Sequence, residues 1–106
     1  MNKGQVKGLG KMKTELEKLY TLIKEKIDES KDEKVEAMIP AFIKAKALPV
    51  LPLLHSKQLE IDMALDAGRG EFNVLHADSK DMLESSKKIS SSLASYLAEA
   101  LAHLAE

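Results

Sequence analysis

Apolar side chains recur along most of the chain at the three- and four-residue spacing of a helix face. Met12, Leu16, Leu19, Tyr20, Ile23 and Ile27 form the first stripe, opposite a Lys- and Glu-rich side, and predict a helix over about 12–29. Thr14 and Glu17 have the capping-box form, so its regular part should start at Thr14, after a frayed turn. Residues 1–10 carry Gly4, Gly8 and Gly10, with only Val6 and Leu9 to bury. They predict a flexible N-terminal arm ahead of a single helical domain over 11–106.

Ser30 and Glu33 repeat the capping-box form and predict the start of a second helix, with Val35, Met38, Ile39, Phe42 and Ile43 on one face. Pro40 has no amide hydrogen and clashes with the carbonyl four residues back, so a kink or break is expected near Met38–Pro40. Leu48-Pro49-Val50-Leu51-Pro52 reads as an extended corner. Pro52 is then the first residue of a third helix that aligns Leu54, Ile61 and Leu65 and closes at Gly68. Gly68-Arg69-Gly70 predicts a flexible turn. Glu71 to His76 is expected to be irregular or 3₁₀, because a lone strand has nothing to pair with.

Asp78, with Asp81 three residues on, should cap a last helix over 79 to about 105. Its stripe is Met82, Ser86, Ile89, Leu93, Tyr96, Leu97, Ala100, Leu101 and Leu104. The pattern as a whole predicts an all-α fold. It is a four-helix bundle-like domain, with the second helix kinked at Pro40 and a long C-terminal helix outrunning shorter neighbours.

Composition narrows the function. A chain of 106 residues has the size of one small domain. The absence of Cys excludes disulfides, thiolate nucleophiles, iron–sulfur clusters and Cys-based zinc sites. Sixteen Lys plus Arg against seventeen Asp plus Glu leave a charge of −1, so no global field attracts nucleic acid. Lys3, Lys7, Lys11 and Lys13 offer only weak, salt-sensitive attraction, and no specific nucleic-acid partner is expected. The most apolar window, 35–54, is interrupted by Glu36, Lys44, Lys46 and three prolines, so no membrane span is expected. The first residues lack the apolar run of a signal peptide, which predicts a cytoplasmic protein.

The titratable residues form no recognisable catalytic or metal motif. His55, His76 and His103 are scattered, and Glu99 with His103 reads as a surface pair near a helix end. Asp62 and Asp66 read as a solvated face, and no Gly-rich loop has phosphate-binding spacing. No cofactor, metal or catalytic residue is expected; an enzyme would have to use Asp62 and Asp66 with His55 or His76.

The expected function is a non-enzymatic protein-interaction or regulatory module that self-associates through its C-terminal helix. Ser86, Ser90, Ala94, Ala98 and Ala102 form a ridge of small residues at every fourth position, which lets another helix approach closely. Leu97, Leu101 and Leu104 run beside it, and the simplest cover is a second copy in an isologous dimer, with another protein as a further partner. The alternative is a pocket for a small apolar ligand lined by Met38, Phe42, Leu48, Val50, Leu51 and Met63.

Overall fold

The computed structural model describes residues 1–68 and 70–106. They form four helices and, among the described residues, no strand: α1 (Lys3–Glu29), α2 (Glu33–Met38), α3 (Ala41–Ala67) and α4 (Phe72–Leu104). The fold is all-α with a long C-terminal helix, as the pattern predicts. The lengths differ from expectation, because α1 and α3 both reach 27 residues beside the 33 of α4.

The helix α1 starts at Lys3, so the expected arm is part of the first helix. Asn2 caps it: its side chain accepts from the Gln5 amide at 2.8 Å, and Gln5 Oε1 accepts from the Asn2 amide at 3.1 Å. The buried positions Leu9, Met12, Leu16, Leu19 and Ile23 alternate steps of three and four, the spacing of a coiled-coil seam. Leu9 is fully buried, and its burial offsets the entropy of the neighbouring glycines. Thr14 is no cap; its hydroxyl donates to the Gly10 carbonyl at 3.1 Å.

Ser30 ends α1 instead of opening α2, with its hydroxyl donating to the Ile27 carbonyl at 2.7 Å. Asp32 caps α2 by accepting from the amides of Lys34 and Val35. Pro40 gives a break, not a kink within one helix: α2 ends at Met38, and Pro40 becomes the N-cap of α3.

The expected corner at 48–52 is not formed. Pro49 and Pro52 lie inside α3, which runs unbroken from Ala41. Each proline removes the donor that would serve the carbonyl four residues back, on Ala45 and Leu48. Ala45, Leu48, Pro49 and Pro52 are all exposed, so water reaches that face, while Val50 and Leu54 are buried on the other. Burial on the inner side outweighs two missing bonds on the wet side.

Gly68 closes α3 as expected, at φ 66°, a left-handed conformation natural to glycine. The expected turn Gly68-Arg69-Gly70 includes Arg69, which lies outside the described residues. The helix α4 begins at Phe72, so residues 72–76 are helical and Asp78 lies within the helix instead of capping it. Phe72 and Leu75 pack against the core and carry the stripe back through that segment.

Three long helices run up, down and up. Lys13 meets Asp62 and Tyr20 stacks near His55, which sets α1 antiparallel to α3. Phe42 against Tyr96 sets α3 antiparallel to α4, and Gly8 beside the Phe72 ring sets α1 parallel to α4. The short α2 packs on α4 beyond the end of α1. The result is a rod of 56 × 19 × 17 Å. Its radius of gyration, 16.4 Å, exceeds the roughly 13 Å of a compact chain this long.

Two core clusters lie along the rod. The first joins Leu9 to Ile23 of α1 with Val50, Leu54 and Ile61 of α3 and Leu83 of α4. The second joins Val35 and Ile39 with Ile43, Ala47, Leu93, Leu97 and Ala100. Ser79 is wholly buried in α4, and its hydroxyl has no hydrogen-bond partner, an arrangement that costs about 1–3 kcal/mol.

Candidate functional site

The small-residue ridge of α4 does not stay on one face. Steps of four advance about 40° beyond a full turn, so the ridge winds around the helix. Ser86 and Ser90 are buried inside the protomer, Ala94 is half-buried, and Ala98 and Ala102 are exposed. Leu97 is also in the core, while Leu101 and Leu104 are exposed. The buried seam of α4 is instead Ser79, Leu83, Ser86, Ser90, Leu93, Leu97 and Ala100. Ser86, Ser90 and Leu97 are therefore core residues of one chain. Of the expected interface only Ala98, Leu101, Ala102 and Leu104, with half-buried Ala94 beside them, remain at the surface.

The six residues expected to line an apolar pocket are not gathered in a cavity. Val50 is buried and Leu51 half-buried, while Met38, Phe42, Leu48 and Met63 are exposed at separate levels of the rod. Of the six, Leu48 alone lines the cleft between the end of α1 and α3, beside Ile27, Ser30, Ala47 and Leu93. Its volume is about 180 Å³, against the roughly 300 Å³ at which ligand pockets begin. A groove of about 390 Å³ runs between α1 and α4 past Leu19, Leu22, Leu83 and Lys87, open to solvent along its length.

The titratable candidates are likewise apart. Asp62 is held by the Lys13 ammonium at 2.6 Å, and Asp66 is exposed. His55 lies against Tyr20 and His76 against Phe72. Among the described residues no three of His, Asp and Glu come together as a metal site. Ser85 and Lys88 have Ser-x-x-Lys spacing, but both are exposed, and the Ser85 hydroxyl donates to the Met82 carbonyl.

By accepting a hydrogen bond from the Lys13 ammonium, Asp62 holds it above the ordinary lysine range, helped by its charge and that of Glu17. A raised lysine stabilises the fold fully at pH values below the ordinary lysine range. This contribution is lost as pH climbs through the raised value. The pair is a clasp between α1 and α3, not a reactive site.

What remains is the outer face of α3. The buried seam of α3 is Ile43, Ala47, Val50, Leu54 and Ile61. On the opposite side Phe42, Ala45, Pro49, Pro52, Ser56, Leu59 and Met63 again alternate steps of three and four, and all are exposed. Leu48 and Leu53 flank this second seam. Phe42, Leu48, Leu53, Leu59 and Met63 are between 49% and 70% exposed, five large apolar side chains on one face. The chain covers only one of these two sides of α3. Its charges lie on the flanks: Lys46 near the ring of Phe42, and Glu60 paired with Lys57.

The sequence pattern held this second seam, and the two prolines within it disguised it as a corner. Phe42, expected in the core, packs edge-on against Tyr96 while leaving its other face to solvent. Comparison of the chain with protein-family models, curated proteins and solved structures finds no match.

Proposed function

We propose that this chain is a non-enzymatic interaction protein of the cytoplasm, a helical rod that presents the outer face of α3 to another apolar helix. One observation carries the reading: α3 bears two apolar seams on opposite sides, and its own chain buries only one. Soluble monomers seldom expose contiguous apolar area beyond a few hundred Å². The strip from Phe42 to Met63 covers 22 residues of helix, roughly 33 Å long and 10 Å wide, and comes to about 300 Å². No helix among the described residues is long and apolar enough to cross a membrane. Small-ligand binding has less support, since the cleft between α1 and α3 is too small and the groove between α1 and α4 is open.

A labelled synthetic amphipathic helix with leucine at heptad positions tests the reading by fluorescence anisotropy. It should bind the native chain and lose binding to a variant carrying Leu53→Glu with Leu59→Glu. Leu22→Glu, in the groove between α1 and α4, should leave binding intact. Equal binding to the native and doubly substituted chains, or none to either, would overturn the reading.

A further inference from the structure

We infer that the outer face of α3 docks a second copy of this chain, with the two α3 helices antiparallel and Leu53 beside its counterpart at the dyad. The inference rests on the reading of that face as the working surface, and it names the partner.

The charges on the face are arranged for it. Lys46, Leu53 and Glu60 are spaced by seven, so they form one line along the flank of the seam. In an antiparallel pair centred on Leu53, this line sets Lys46 of each copy against Glu60 of the other, and Leu53 against Leu53. In a parallel pair this line would face the other flank of the partner, and the Lys46–Glu60 contacts would not form. Lys46 has no carboxylate partner among the described residues, and Glu60 is 57% exposed while pairing with Lys57 of its own helix. Both side chains reach solvent on that flank, and Glu60 would share its carboxylate between Lys57 of its own helix and Lys46 of the second copy.

The area of the face bounds the strength of the pair. The exposed strip on α3, roughly 300 Å², is less than half of the roughly 800 Å² that each partner hides in a standard interface, which places the pair at the weak, exchanging end of specific complexes.

Sedimentation equilibrium on the full chain, from about 10 µM to about 1 mM, reads the association. The apparent mass should climb from 11.7 kDa towards twice that value. Leu53→Glu should hold it at the monomer mass with an unchanged helical circular dichroism spectrum. Lys46→Glu and Glu60→Lys should each weaken the dimer about tenfold or more, and the double exchange should restore it. A native chain that stays monomeric at the highest concentration overturns the dimer, as does a dimer indifferent to Leu53→Glu. A double exchange no better than either single one overturns the antiparallel register. If the chain is monomeric yet binds the synthetic helix, the second copy is wrong and the α3 surface stands. If it does neither, both fail.

Discussion

Deleting residues 1–10 is expected to lower the thermal midpoint by at least about 10 °C, and to leave much of the protein unfolded at 37 °C. The segment forms the first two turns of α1, and it carries Leu9, whose side chain is wholly enclosed by the first core cluster. Truncating one buried Leu to Ala costs about 2–5 kcal/mol, and the deletion also removes the Asn2–Gln5 capping box. Each kcal/mol shifts the midpoint of a domain this size by roughly 4–8 °C. A circular dichroism melt of the truncated chain measures the effect. A midpoint within about 5 °C of the native one would mean that Leu9 contributes almost nothing.

Pro49→Ala and Pro52→Ala should act in the opposite direction. Proline inside a helix costs about 3 kcal/mol relative to alanine, part of which it returns by stiffening the unfolded chain. Each exchange restores one main-chain bond, to the carbonyl of Ala45 or Leu48, and neither ring is enclosed by the core. A gain of roughly 1–3 kcal/mol per site follows, so the double variant should melt on the order of 10 °C higher. An extended corner at 48–52 would lose stability by the same exchange, because proline's fixed φ favours such a corner. Scanning calorimetry distinguishes the two by sign.

Regular spacing of large apolar residues located the end of α1, the bulk of α4 and the all-α class, because burial of such stripes dominates local preference. Gly68 was legible as a helix end because few other residues adopt its backbone. The start of α1 was hidden by three glycines, although Leu9 stands three residues before Met12 in the same seam. Ser30 and Asp32 both have cap chemistry, and the choice between them depends on where α1 stops. Local residues do not decide that. The prolines of α3 misled most. Proline penalties are local, whereas the compensation comes from Val50, Leu54 and Ile61 packing on another helix.

The small-residue ridge of α4 divides between core and surface for a geometric reason. A ridge of every fourth residue looks continuous in one dimension and spirals in three. The candidate site on α3 was visible only after the inner seam was known, since an unpartnered face is defined by what the rest of the chain covers.

The division of the core into two clusters governs how the rod opens. They meet at the half-buried Ile27 and Ile89, which touch both. The second cluster includes Ala47 and Ala100, small side chains that hold little apolar area. The end of the rod built from α2 and the last turns of α4 can therefore swing apart while the first cluster stays shut, as a separate unit of low opening free energy. In native-state hydrogen exchange, amides of α2 and of residues 97–104 should be released first, and those around Leu16, Leu54 and Ile61 only with global unfolding. Equal protection along the rod would show instead a single cooperative unit. α3 contributes Ile43 and Ala47 to the loose end and Leu54 and Ile61 to the tight one. A partner lying along its full length would therefore splint the two units together, and its presence would be felt in α2, which it need not touch.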